Sequence, residues 1–191
     1  MKIVDTLKLE ASEWLWNLPK SNKAGGQIAE HVEALLRDGC TLIPNYLNAN
    51  QLQALLFDGR RVCQDSQNIS LESNGSDSRV YGVDRLADSF KLQGLTELPD
   101  KIAKTFYRAD SLAWFQMLGH IVSTPNNLGS GSGWHRDSPF KHQFKFIIYL
   151  SDVQIENGPF EYIKGSHLKK SIESVASYLN VRSNKFRFDP Q

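Results

Sequence analysis

The chain has 191 residues, 22 Lys+Arg against 21 Asp+Glu, 40% hydrophobic side chains and five histidines. That length fits one domain whose core needs no disulfide or metal staple. A net charge of +1 excludes the basic excess by which proteins hold nucleic acid or anionic membrane surfaces. No apolar run approaches the roughly 20 residues of a membrane span. Met1 to Glu10 alternates apolar and charged residues, without the apolar block of a signal peptide. Cys40 and Cys63 are too few for a disulfide scaffold and sit in no metal-binding spacing. They read as reduced thiols of a cytoplasmic protein.

Residues 1–26 read as an N-terminal extension, and residues 27–191 as one domain. The extension ends in Pro19-Lys20-Ser21-Asn22-Lys23-Ala24-Gly25-Gly26, a polar breaker stretch. Trp14, Trp16 and Leu18 ahead of it are expected to pack on the main body, because a solvent-exposed pair of indoles is unusual on a monomer. From Gln27 to Arg37, Ile28, Val32, Leu35 and Leu36 share one helical face, and Gly39 stops the helix. Thr41-Leu42-Ile43 reads as a short strand ended by Pro44. Asn48 can cap a second helix, with Leu52, Leu55, Leu56 and Val62 on its apolar side.

Residues 65–78 hold seven Ser or Asn and one Gly, which predicts a mobile surface loop. A short strand follows from Arg79 to Arg85, then a helix from Leu98 to Tyr107 with Pro99 in its first turn. Beyond it the pattern changes. Leu112 to Ser123, Gln143 to Leu150 and Phe160 to Ile163 read as strands, separated by turn clusters. A helical part over 27–107 followed by a strand-rich part over 108–191 predicts an α+β fold, helices against an antiparallel sheet.

The stretch that carries chemistry is Gly129-Ser130-Gly131-Ser132-Gly133-Trp134-His135-Arg136-Asp137-Ser138-Pro139. On a strand, His135 and Asp137 point to one face, where an imidazole nitrogen and a carboxylate oxygen reach one cation. Taken alone, the pair is equally a surface histidine near an acid. His31-Val32-Glu33 has the same spacing on a helix, where i and i+2 do not face each other, so it cannot chelate. Trp134 is expected to pack, and Arg136 to sit at the surface or in an ion pair. The Gly129–Gly133 run precedes no helix that could supply aligned N–H groups, so it reads as a turn or lid and not a phosphate loop. In Gln143 to Leu150, Lys145 shares a face with Ile147 and Tyr149, opposite Phe144, Phe146, Ile148 and Leu150. An ammonium on a strand apolar on both faces needs an anion or access to water.

Further motifs follow in order: Leu150-Ser151-Asp152, Asn157-Gly158-Pro159 and Lys164-Gly165-Ser166-His167. With the opening LLRDGCTLIPNYLNANQL (35–52), they resemble the phytanoyl-CoA dioxygenase family of Fe(II)- and 2-oxoglutarate-dependent oxygenases over residues 27–170. Lys164 stands where the family's turn has Pro. The resemblance implies a double-stranded β-helix, or jelly roll, behind the N-terminal helices. It also implies hydroxylation or a related oxidation of a small molecule, using O2 and 2-oxoglutarate and releasing succinate and CO2. In that family two His and one carboxylate hold iron and leave positions for 2-oxoglutarate and O2. His135 and Asp137 would be two of the ligands, while His167 would close a turn without binding metal. By the same resemblance Lys145 would hold a 2-oxoglutarate carboxylate, and Gln116, 19 residues before His135, would touch ligand in the barrel. A solvated Lys145 and a Gln116 satisfied by neighbouring strands are the plainer alternatives.

No strand after His167 matches the one that carries the family's distal His and carboxylate-binding Arg. Helix Leu168 to Leu179 and the basic stretch Arg182 to Arg187 follow instead. The jelly roll is therefore expected to be incomplete at its C-terminus. This 191-residue chain is then expected to bind Fe(II) and 2-oxoglutarate weakly and to show no turnover, because each lost donor must be replaced by water. The alternative function is a non-catalytic binding or interaction module on the same scaffold. A cupin-like isomerase is disfavoured by the N-G-P and G-S-H pattern.

Overall fold

The computed structural model describes residues 25–73, 76–122, 133–136 and 144–182. Trp14, Trp16, Leu18 and Asp137, which the sequence singles out, lie outside those residues, as does His142. Helix α1 spans Gln27–Asp38 and ends where Gly39 adopts a left-handed φ of 80°. Helix α2 spans Ala49–Gln64. Asn48 caps it with a reciprocal box: the Asn48 side chain accepts from the Gln51 N–H, and the Gln51 side chain accepts from the Asn48 N–H. Leu55 and Val62 on α2 are buried, one helical face as the periodicity requires.

The region 65–78 departs from the sequence reading. It forms a 3-10 turn over Ser66–Asn68 and two short antiparallel strands, β1 (Leu71–Ser73) and the start of β2 (Asp77–Tyr81). Ser is a turn former by composition, but here Ser73 and Ser78 take up ladder positions against a longer neighbour. The strand read over 79–85 is likewise shorter, because a 3-10 turn takes over at Val83–Arg85. Thr41 to Ile43 is not a strand; the Thr41 hydroxyl instead bonds the His31 ring at 2.9 Å. Asp88–Phe90 is a further 3-10 turn, and α3 (Leu92–Leu95) is a single helical turn. Helix α4 covers Glu97–Tyr107 and packs against α1, burying Ile102 and Ala103.

Strand β3 (Met117–Ile121) completes a three-stranded antiparallel sheet in the order β1-β2-β3, with Val80 opposite Leu118. Leu55, Val62, Val80, Val83, Ala87, Phe90 and Leu95 form the core, flanked by half-buried Leu118 and Leu150. Burying each Val, Leu or Phe among them contributes about 1.5–3 kcal/mol. The architecture is thus α+β, as composition and periodicity predict.

The strands read over 143–150 and 160–163 carry no ladder among the described residues, although 144–150 alternates between half-buried and exposed as a strand would. Helix α5 (Lys169–Tyr178) lies inside the helix read over Leu168 to Leu179 and buries Ala176. Among the described residues no helix is long and apolar enough to cross a membrane.

Candidate functional site

The site candidates sit on three stretches. Gln116 immediately precedes β3, and its carbonyl accepts the Gly82 N–H at 2.9 Å, extending the β2–β3 ladder by one bond. Leu112, Trp114, Gln116 and Leu118 alternate inward along this run. The Gln116 amide therefore points with Trp114 and Leu118 towards the interior. Its Oε1 is buried and has no hydrogen-bond partner among the described residues. An unmet buried acceptor costs about 1–3 kcal/mol, so such groups are scarce and call for an explanation. The plainer reading, a Gln satisfied by neighbouring strands, stays open, because residues 123–132 and 137–143 lie outside the described ones.

Lys145 lies in the extended run 144–150. Phe144 reaches inward to Phe106, Tyr107 and Trp114, and Phe146 meets Tyr46 edge-on at 5.0 Å. Leu150 reaches the core. Those contacts fix the run's rotation and turn Lys145, Ile147 and Tyr149 to the exposed side. Access to water removes the desolvation argument for an obligatory anion beside the ammonium. Tyr149 shows no signal in sequence beyond this alternation, yet its hydroxyl accepts the Phe160 N–H at 2.8 Å and ties the run to the Asn157-Gly158-Pro159 segment. Gln116 and Lys145 consequently face opposite ways: Gln116 towards the side on which Phe144 meets Trp114, Lys145 away from it.

His135 is exposed, and its Nδ1 lies 2.8 Å from the Gly133 carbonyl. A carbonyl only accepts, so Nδ1 carries the hydrogen and the neutral ring bears its lone pair on Nε2. That is the tautomer and orientation by which metal-binding histidines are held, the second nitrogen fixed by a carbonyl. Gly133, with φ at 89°, makes the turn that brings its carbonyl under the ring. Trp134, expected to pack, is 48% exposed. Arg136, expected at the surface or in an ion pair, is half-buried, and burial pulls its guanidinium below the ordinary value. Asp137 falls outside the described residues, so the pairing with His135 is not on view.

His167 meets the expectation that it closes a turn. Its Nε2 donates to the Leu36 carbonyl at 3.2 Å, and the Gly165 N–H donates to the Asp38 carbonyl at 2.7 Å. The G-S-H turn thus satisfies two of the carbonyls orphaned at the end of α1. His31 of the His-x-Glu decoy is buried in α1, with Nδ1 bonded to the Thr41 hydroxyl and Nε2 without a partner among the described residues. His120 on β3 is exposed. Burial raises the Cys63 thiol above its ordinary value, which disfavours a thiolate nucleophile. Among the described residues no three His, Cys, Asp or Glu side chains converge on one point.

A family model described as phytanoyl-CoA dioxygenase (PhyH) matches residues 35–185, most of the chain. It spans Gln116, His135, Asp137 and Lys145 together with the α1-docking turn. No curated protein and no solved structure matches the chain.

Proposed function

Because this chain belongs to the phytanoyl-CoA dioxygenase family, whose members are dioxygenases, we propose that it descends from an Fe(II)- and 2-oxoglutarate-dependent hydroxylase or related oxidase of a small molecule. The family match over residues 35–185 carries the reading. When bound, Fe(II) with 2-oxoglutarate and O2 supplies oxidation of an unactivated C–H bond, with succinate and CO2 as the other products. The donor chemistry of this chain suits that group. An imidazole nitrogen and a carboxylate oxygen, His135 and Asp137, are the ligand types that divalent iron takes in such sites.

In this reading His135 binds through Nε2, and its Nδ1–H bond to Gly133 fixes the ring's direction before any metal arrives. Asp137 supplies the charge-neutralising oxygen. Lys145, on the exposed side of its run and facing away from Gln116, is the weaker of the two residues proposed for 2-oxoglutarate. Gln116 serves from the interior. Its amide, turned through 180°, presents Nε2–H where the unmet Oε1 now lies, and it then donates to a bound oxygen. The runs 112–121 and 144–150 are, on this view, walls of a double-stranded β-helix.

The test is turnover of 2-oxoglutarate with Fe(II) by the protein, beside His135→Ala and Asp137→Ala. Each variant should keep the parent's circular dichroism. Each should lose more activity than the roughly 10–100-fold that removal of a ligand's hydrogen-bonding partner costs. Undiminished turnover in both variants refutes the metal assignment. A protein that neither turns over nor binds Mn(II) and 2-oxoglutarate is instead a binding module on this scaffold.

A further inference from the structure

Asn157-Gly158 is a dipeptide with a chemistry of its own. Where glycine follows asparagine, no Cβ shields the glycine nitrogen, and the chain turns freely enough to bring that nitrogen onto the asparagine Cγ. In the reaction the Gly158 nitrogen gives its proton to water and bonds to Cγ, and the Cγ–Nδ2 bond breaks. Ammonia leaves with a proton returned by water, and a five-membered succinimide remains. Water then opens either carbonyl of that ring, giving aspartate or isoaspartate, with no oxidation or reduction. Both residues are exposed, so water has access and burial offers no protection.

We propose that Asn157 is a guarded deamidation site, labile by its sequence and held back by the turn over residues 154–158. Three hydrogen bonds make the guard. Asn157 Oδ1 accepts the Gln154 N–H at 2.8 Å, which bends the carboxamide back towards the start of the 3-10 turn over Ile155–Asn157. The Gly158 N–H, whose proton must be lost, donates to the Ile155 carbonyl at 3.1 Å. Downstream, the Phe160 N–H is held by the Tyr149 hydroxyl at 2.8 Å. Gly158 sits at φ 68° and Pro159 has a ring-fixed φ, so little rotation is left between Asn157 and Phe160 while these bonds stand. The reaction therefore waits on local opening of the turn, in which at least the Gln154 and Gly158 bonds are lost.

The product changes the structure around it. Isoaspartate routes the main chain through the former side chain and so adds one methylene ahead of Gly158. The Phe160 N–H is then out of register with Tyr149, and the tie between the turn and the run 144–150 is released. Slow chemistry at one exposed residue thereby loosens a remote strand-like run. None of this depends on iron or 2-oxoglutarate.

The test is peptide mapping by mass spectrometry after incubation of the full chain at mildly alkaline pH, both folded and in urea. Each guarding bond shifts the opening equilibrium by roughly 2–10-fold, so Asn157 should convert about tenfold more slowly in the folded chain than in urea. Gln154→Pro removes the N–H that holds Oδ1 and keeps the Asn-Gly dipeptide. Conversion in the folded variant should rise by roughly 2–10-fold over the folded parent. If Gln154→Pro lowers the urea midpoint, and with it the fold, Tyr149→Phe stands in, because it removes the acceptor of the Phe160 N–H and keeps the ring. Equal rates in the folded and urea-unfolded parent overturn the proposal. An unchanged rate in Gln154→Pro, or in Tyr149→Phe where that variant stands in, overturns it too.

Discussion

The helical front region, 27–107, and the strand-rich back region, 111–182, hold their side chains differently. In the front, Leu55, Val62, Val83, Phe90, Ile102 and Ala103 are buried, and helices close a core with two 3-10 turns and one strand. In the back, Ala176 is the buried hydrophobic among the described residues, while Phe115, Ile147, Phe160 and Ile163 are at least half exposed. The two regions draw their order from different distances along the chain. A helix satisfies its backbone within four residues and needs a partner for one face alone. An extended run needs a neighbour on each edge to satisfy its backbone, and that neighbour is remote in sequence. The back region shows the consequence: correct alternation over 144–150 without a described ladder.

The largest effect that would break this contrast is a core truncation. Leu55→Ala, at a position 2% exposed, should cost about 2–5 kcal/mol of unfolding free energy. Phe160→Ala, at a position 60% exposed, should stay within about 0.5 kcal/mol. Urea titration of both variants measures the two numbers. Equal losses would mean that the back region is as tightly packed as the front.

The second test strikes the junction. At Gly39 the φ of 80° is strained for any side chain, and a Cβ there would meet the Tyr162 hydroxyl and lie 2.5 Å from His167 Nδ1. Gly94 has a φ of 93° but open space around its Cβ. Gly94→Ala should therefore cost the backbone term alone, about 1–2 kcal/mol. Gly39→Ala should cost that plus the undocking of the 162–167 turn from α1. Hydrogen exchange at Gly165 reads the undocking directly, since its N–H is bonded to Asp38. Unchanged protection of that amide in Gly39→Ala would show that the turn tolerates the overlap.

These contrasts explain which features are legible in the sequence. Helices α1, α2, α4 and α5 are readable because their signals are local: Asn48 with Gln51 for a start, Gly39 for a stop, and apolar residues every three or four positions. Asn48→Ala tests that locality and should cost about 1 kcal/mol through loss of the capping box, with no effect on the back region. Segments 65–78 and 41–43 are not readable, because β1 exists only by pairing with β2, and Thr41 is held by His31. At the candidate site His135 stands out by its glycine-rich context, but the tautomer set by Gly133 is a matter of backbone geometry. The unmet Gln116 oxygen depends on which neighbours fall short of it, and a one-dimensional pattern contains no trace of that.

The smallest effect concerns Asp100, whose carboxylate joins the two regions. It pairs with Lys104 at 2.7 Å within α4 and accepts the Trp114 Nε1–H at 2.9 Å from the back region. The Lys104 bond first and the Trp114 bond second hold this carboxyl below its ordinary value. A carboxylate so depressed stabilises the fold fully above the unfolded value of about 3.9. That contribution fades as pH falls below 4 and through the folded value, because the unfolded chain takes up the proton first. The group is largely solvated, so the contribution is small and screened by salt. Asp100→Asn removes the charge but keeps an acceptor for Trp114, whereas Asp100→Ala removes both. Unfolding measured at pH 7 and pH 3 should show a weaker acid dependence in both variants than in the parent. Asp100→Ala should in addition be less stable than Asp100→Asn at pH 3, because only the Ala variant also loses the acceptor for Trp114. Matching values for the two variants at pH 3 would show that the indole bond contributes nothing to holding the back region against α4.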